Sequence, residues 1–232
     1  MRAARLHRYG DPAEITSFNP SEVGHRRGSM PVTFPHTLGW DVAGTAGDRP
    51  VIAMADGAAA EYVTVPLAHL VDAPASIPLA DAAALPLAGL TAWQAVFEYG
   101  KARPGERVLV TGASGGIGRL AVQLVRHAGA TPVAARRGED PGGGYDLVLN
   151  LAPIAPPLAG ERIVTITLPA PGATHFITRN DPAQLAELVA LVDAGVVRVE
   201  IAERHPLGAL AEIHRRAEAG DIHGKIIIEE LA

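Results

Sequence analysis

The run Arg107-Val-Leu-Val-Thr-Gly-Ala-Ser-Gly-Gly-Ile-Gly118 holds the densest set of residues with a spacing that could do chemistry. It reads as a short apolar strand, a glycine turn and a helix from about Arg119 to Ala128. Ala113-Ser-Gly115-Gly-Ile-Gly118 is a G-x-G-x-x-G pattern with alanine in the first place. Gly115 would let the main chain close on a pyrophosphate, and Gly118 would let the helix pack tightly on the strand. The helix's free N–H groups and the positive end of its dipole would face the phosphates. Tight strand-to-helix turns without a ligand also use glycine, so the pattern takes its meaning from its context.

Other chemistries are narrowed by what the chain lacks. It contains no cysteine. That excludes disulfides, a cysteine nucleophile and every cysteine-ligated zinc site. The nine histidines form no H-x-x-x-H pair on a helix. His214 and His223 stand alone in the sequence and read as solvated or capping residues. The expected chemistry is metal-free.

These residues need elements to hold them. The first eighty residues are rich in Gly, Pro and short apolar runs: Val51-Ile-Ala-Met, Glu61-Tyr-Val-Thr-Val and His69-Leu-Val. This pattern predicts a compact β-rich unit. From about Leu87 the pattern becomes α/β. Strands are predicted at Arg107–Thr111, Thr131–Ala135, Asp146–Asn150, Arg162–Thr167 and His175–Thr178. The helix Pro182–Ala194 carries an apolar stripe at Leu185, Leu188, Val189 and Val192. Asp181 suits its N-cap, with Pro182 at the first helical position. A later helix, Leu207–Ala219, leads to a closing strand, Lys225–Glu229.

At 232 residues the chain can bury a large core, and 48% hydrophobic with 19% charged residues suits a soluble globular enzyme. No apolar run reaches membrane-spanning length. The N-terminus lacks the apolar region of a secretion signal, so a cytoplasmic location is expected. The net charge of −5 and the scattered basic residues argue against a nucleic-acid surface.

The blocks around the glycine turn carry a resemblance. Ala82-Ala-Ala-Leu-Pro86-Leu-Ala-Gly-Leu-Thr91-Ala-Trp93 and Lys101-Ala-Arg-Pro-Gly105-Glu-Arg-Val precede it. Met1-Arg-Ala-Ala-Arg with Tyr9-Gly-Asp-Pro, Asn19-Pro-Ser-Glu, Phe34-Pro-His-Thr-Leu-Gly-Trp-Asp-Val-Ala-Gly44, Ala60-Glu-Tyr62-Val-Thr-Val-Pro66 and Gly224-Lys225-Ile-Ile-Ile follow the same order. Together they resemble the medium-chain dehydrogenase/reductase superfamily, in its zinc-independent quinone oxidoreductase (zeta-crystallin-like) branch. The resemblance implies an α/β fold in two parts. Residues 87–179 would form a shortened Rossmann-like parallel sheet that binds a dinucleotide. Residues 1–86 and 180–232 would form a shortened β-rich GroES-like catalytic domain.

The chain departs from that family by being short. Between Glu14 and Asn19, and again between Gly44 and Met54, strand sequence is compressed. Only Gly138–Tyr145 joins the second nucleotide-binding strand to the next. A helical crossover needs about a dozen residues or more, and eight extended residues reach roughly 26–29 Å at most. The usual helix and third strand cannot both be present.

The resemblance also implies roles. Ser114, Gly115, Gly116 and Ile117 would hold the pyrophosphate. At the end of the second strand, Arg136 and Arg137 stand where an acid would bind the ribose of NAD, and no acid follows until Glu139. Two guanidiniums suit a 2′-phosphate, so NADPH is the expected cofactor; solvated loop charges are the alternative. Asn19 matches an asparagine beside the nicotinamide, or serves the turn before Pro20. Thr91 matches a threonine near the cofactor, or packs a helix. Tyr62 would line the substrate pocket, or sit half-buried in a sheet. Lys225 would reach the cofactor's phosphates, or start a solvated edge strand. Asn19 and Tyr62 are the catalytic candidates, and no general acid is evident.

The implied activity is NADPH-dependent hydride transfer to a small-molecule substrate, a quinone, an enone or another unsaturated carbonyl compound. A non-redox cyclase or isomerase on the same scaffold, and a non-catalytic reductase-like protein, stand beside it. The turn also fits short-chain dehydrogenases. That family begins with the turn and needs a Tyr-x-x-x-Lys pair, which is missing here: Tyr99 is followed at that spacing by Arg103. A homodimer is expected, because a lost crossover helix would uncover apolar sheet surface.

Overall fold

The computed structural model describes residues 5–6, 18–60, 62–135, 142–152 and 159–229. The chain divides into two compact units, Met1–Pro86 with Glu200–Ala232, and Leu87–Val199.

In the first unit β1 (Arg5–Leu6) is followed by α1 (Glu22–Arg27), which ends on Gly28 at φ 77°, a left-handed C-cap. β1 pairs antiparallel with β2 (His36–Thr37). β3 (Asp41–Ala46) and β4 (Arg49–Met54) form a hairpin, and β5 (Val71–Asp72) pairs antiparallel with β4. β4 supplies the buried run Val51-Ile52-Ala53. A short helix, α2, covers Leu79–Ala82. The predicted strand around Tyr62 is not found among residues 62–65, and Tyr62 is 75% exposed. Its reading as a half-buried sheet residue is therefore corrected. The segment runs into Pro66, which offers no N–H to a ladder, and then a 3-10 turn at Leu67–His69. The strand foreseen at His69-Leu-Val starts only at Val71.

The second unit opens with α3 (Pro86–Trp93), continued by a π-helical turn at Gln94–Tyr99. Leu90, Ala92, Ala95 and Val96 are all buried, as expected of a helix apolar on every side. Then come β6 (Arg107–Thr111), α4 (Gly116–His127), β7 (Thr131–Ala135), β8 (Leu147–Asn150), β9 (Arg162–Thr165), β10 (Thr174–His175) and α5 (Pro182–Asp193). The Asp181 side chain accepts from the Gln184 N–H at 3.1 Å, the foreseen cap. The five strands form one parallel sheet in the order β10-β9-β8-β6-β7. β8 is buried at all four positions, which is why it reads as a plain apolar run. β7 lies at an edge, where Pro132 is tolerated.

Among the described residues this order is that of a doubly wound sheet with one strand fewer. The usual 3-2-1-4-5-6 arrangement has a third strand outside the second. Among the described residues the second strand, β7, is the edge, and the next strand, β8, lies on the other side of β6. Within the link between them residues 142–146 carry no helix. The winding direction still reverses at β6, so a switch point remains at its carboxyl end.

The chain then returns to the first unit as β11 (Ile201–His205), α6 (Leu210–Ala219) and β12 (Lys225–Ile228), with β11 and β12 parallel. Phe18, Leu210, Ile213 and Ile226 form its core. His214 belongs there too. It is fully buried, its ring edge-on to Phe18 with centroids 5.5 Å apart. The solvated reading of His214 is thus corrected. It falls on the same helical stripe as Leu210 and Ile213.

Candidate functional site

The turn after β6 is built by three glycines with different tasks. Gly112 lies at φ 66°, the left-handed region, and a β-carbon there would come within 2.7 Å of Ala152 Cβ. Gly118 faces the main chain of the turn, and a β-carbon would overlap the Gly112 carbonyl oxygen. Gly115 is extended, at φ −79° and ψ 171°, and caps α4 with no side chain. A β-carbon on Gly115 would meet only the Gly112 oxygen, at 3.3 Å. The first N–H groups of α4, from Gly116 and Ile117, therefore have no capping side chain. Ser114 is exposed beside them, its carbonyl taken by Arg119 Nε at 3.0 Å. Sequence reasoning put Ala113 at the head of the pattern and passed over Gly112. The signal was available: a glycine directly after a strand's last residue.

Beside the turn, the carboxyl ends of three adjacent strands carry polar side chains. Thr111 is in register with Asn150, and Asn150 with Thr165. The Thr111 hydroxyl donates to Asn150 Oδ1 at 2.9 Å and accepts from the Leu151 N–H at 2.9 Å. Asn150 Nδ2 donates to Thr165 Oγ1 at 3.3 Å and Thr167 Oγ1 at 3.4 Å. All but Thr167 are buried. This ladder was not singled out in the sequence, although each of the three apolar strands ends on it.

Thr91 is also buried in this unit. Its hydroxyl lies 2.6 Å from the Leu87 carbonyl oxygen and 2.7 Å from Thr178 Oγ1. The neighbouring Gln94 ties the π-helical turn to the segment before α5: its Nε2 donates to the Arg179 carbonyl at 2.8 Å, and its Oε1 accepts from the Arg179 N–H at 2.9 Å. Arg136 and Arg137 lie outside the described residues, immediately after β7.

A second polar cluster lies in the first unit. Asn19 precedes α1, Glu22 is its first residue, Asp41 begins β3 and Lys225 begins β12. Asn19 Nδ2 donates to Glu22 Oε1 at 2.9 Å and to Asp41 Oδ2 at 3.1 Å. Lys225 Nζ donates to Asn19 Oδ1 at 3.2 Å and to Asp41 Oδ2 at 2.9 Å. Glu22 is fully buried, and its Oε2 accepts no hydrogen bond among the described residues. Burial pushes its carboxyl up to about 8. The Asn19 hydrogen bond opposes this shift, the nearby Asp41 adds to it, and Lys225 opposes it. Glu22 therefore carries its proton at neutral pH. Sequence reasoning used it only as part of a family segment. Asn19, Asp41 and Lys225 line a cavity of about 160 Å³ whose wall includes Phe18, Ala59 and Leu207. Tyr62 is not among the lining residues. Among the described residues, no three His, Asp or Glu side chains stand together to hold a metal ion.

Residues 121–228 match the family described as zinc-binding dehydrogenase. The chloroplast envelope quinone oxidoreductase homolog of Arabidopsis thaliana is 29% identical over 289 aligned positions, covering 93% of this chain and 88% of the relative. The chloroplastic quinone-oxidoreductase homolog of Spinacia oleracea is 30% identical with the same coverage. An alignment of 289 positions exceeds the 232 residues here, so both relatives carry stretches this chain lacks. The quinone oxidoreductase from Coxiella burnetii shares the fold at a TM-score of 0.83 and 22% identity, over 99% of both chains. A mycobacterial protein solved with NADPH does so at a TM-score of 0.83 and 18% identity, over 97% of this chain and 98% of the other. With a parallel sheet that reverses at β6, a glycine turn at its carboxyl end and these relatives along its length, the chain belongs to the medium-chain dehydrogenase/reductase superfamily, in its quinone oxidoreductase-like branch.

Proposed function

We propose that this protein is an NADPH-dependent, zinc-independent reductase that passes hydride to a quinone, an enone or another unsaturated carbonyl compound. The observation that carries this reading is the cradle at Gly112–Gly118. Space at Gly115 and the uncapped start of α4 fit a pyrophosphate, which would occupy the room a β-carbon would fill. Ser114, Gly115, Gly116 and Ile117 would hold it. Arg136 and Arg137 would take the 2′-phosphate as forked donors. The buried Thr111–Asn150–Thr165 ladder would keep the strand ends rigid beneath the nucleotide. Bound there, the cofactor supplies the hydride. The zinc-independent part rests on the absence of cysteine and of any suitable ligand cluster among the described residues.

Fluorescence titration with NADPH, and NADPH consumption in the presence of quinones and enones, test the reading. Binding in the micromolar range with turnover supports it, and failure to bind at millimolar concentration overturns it. The shortness of the link after β7, with no strand outside β7 among the described residues, favours a second reading, a cyclase or isomerase on the same scaffold, because a third strand ordinarily flanks the adenosine end of the site. Product formation without added nucleotide would favour it. We infer further that the protein works as a homodimer, since the segment that would cover the β7 edge is short. Light scattering over a wide concentration range tests this, and a monomer throughout counts against it.

A further inference from the structure

The glycine turn of the second unit is built against one oxygen. The Gly115 N–H donates to the Gly112 carbonyl at 2.9 Å, and Gly118 packs on the same carbonyl with no β-carbon between. The place of that oxygen therefore fixes where the N–H groups of Gly115, Gly116 and Ile117 lie. Gly112 is located in turn by Ala152, on its other side. A β-carbon on Gly112 would come within 2.7 Å of Ala152 Cβ and 3.5 Å of the Ala152 nitrogen.

What holds Ala152 there is the side chain of Thr111. β6 and β8 stay in register up to Thr111 and Asn150. Past that pair, the N–H groups of Leu151 and Ala152 both turn onto the Thr111 hydroxyl, at 2.9 and 3.2 Å. A hydroxyl has two lone pairs and one hydrogen. Both lone pairs are thus taken by consecutive N–H groups. The hydrogen goes to Asn150 Oδ1 at 2.9 Å, with the Ala152 carbonyl further off at 3.5 Å. Asn150 keeps its oxygen toward Thr111 because its Nδ2 is engaged by the hydroxyls of Thr165 and Thr167. Thr111 is fully buried, so it acts on a ligand only through Gly112.

From this geometry we infer that Thr111 is a positioning residue for the dinucleotide. Its hydroxyl holds the exit of β8 against Gly112, sets the Gly112 carbonyl, and so aims the N–H groups of the turn at the pyrophosphate. The identity of the ligand rests on the reductase reading above; the shaping of the turn does not. Valine has the outline of threonine but would leave the Leu151 and Ala152 N–H groups and the Asn150 oxygen buried without partners. Relief of that penalty moves Ala152 off Gly112 and lets the turn shift. Serine keeps the hydroxyl and the turn.

The tests use the full chain, with each variant held where circular dichroism shows it folded. Thr111→Val should weaken NADPH binding by about ten- to hundredfold, the worth of one or two misaligned N–H contacts to a phosphate. It should leave kcat at saturating NADPH within about threefold, since the lost contacts serve binding alone. Thr111→Ser should restore NADPH affinity to within about threefold of the parent. Lower stability in a protein that remains folded would produce no such split between affinity and kcat. Thr111→Cys, whose thiol is a weak acceptor, replaces Thr111→Val if that variant does not fold. Parent-like NADPH affinity in Thr111→Val, or an equal loss in Thr111→Ser, overturns the role. A second readout needs no nucleotide. The Gly115 amide proton should move upfield in Thr111→Val, as it does when its hydrogen bond lengthens, and stay in place in Thr111→Ser. A Gly115 signal unmoved in Thr111→Val overturns the shaping of the turn whatever the parent binds. If the parent binds no nucleotide at millimolar concentration while that signal moves, the assignment to a dinucleotide falls with the reductase reading, and Thr111 stands as the residue that shapes the turn.

Discussion

The carbonyl oxygen of Gly112 stands where a β-carbon on Gly118 would have to be. The two residues flank the turn between β6 and α4, so this contact sets how closely the helix lies on the strand. Gly118→Ala should force α4 away and destabilise the protein by about 1–3 kcal/mol, the range for overpacking a tight site. Urea unfolding measures it; a variant as stable as the parent would show that the helix has slack.

Gly115 should behave differently. Its φ suits any residue, and a β-carbon meets one oxygen at 3.3 Å. Gly115→Val should change stability by less than about 1 kcal/mol and abolish NADPH binding, because the side chain takes the pyrophosphate's place. Equal affinity in variant and parent would remove the turn from the cofactor site.

Glu22 makes stability depend on pH. Its folded value of about 8 lies above the ordinary 4.5, so unfolding releases a proton between those limits. Its contribution is fully present below about pH 4.5 and is lost as pH rises through 8. The loss is roughly 3–5 kcal/mol over that window. Glu22→Gln should flatten the slope and be the more stable protein at pH 8. Parallel melting curves for parent and variant from pH 5 to 8.5 would assign the slope to other groups.

Arg136 and Arg137 should set cofactor choice. Each forked contact to a phosphate is worth about 1.5–3 kcal/mol, so one gives roughly ten- to hundredfold preference for NADPH over NADH. Changing both to Ala should erase most of that preference and leave NADH affinity nearly unchanged. Discrimination that survives the double change would place the 2′-phosphate elsewhere.

What was legible in the sequence was what local physics determines. β6 and β7 have their foreseen limits, and α5 has its foreseen cap, because a short apolar strand, buried in β6 and half-exposed at the β7 edge, and an Asp-Pro helix start are written in adjacent residues. The shortness of the link after β7 already implied that the usual helix and third strand cannot both be present. The acid at Glu22 was not legible as a buried group, since nothing near it in sequence shows that Asp41 and Lys225 close over Asn19. The Thr111–Asn150 pairing needs the strand order. His214 was legible in principle, four residues after Leu210 on one helical face, and was misread by considering histidines singly.

The first unit is discontinuous, and this has a consequence for how the protein is made. Leu87–Val199 leaves the ribosome as one uninterrupted piece, with all five parallel strands in it. Phe18 must wait for Leu210, Ile213 and Ile226, and Asn19 for Lys225, 206 positions later. At synthesis rates of about 5–20 residues per second, that interval is on the order of ten seconds. The half begun first is therefore the half finished last, with its core aromatic residue and its buried acid in water until β12 emerges.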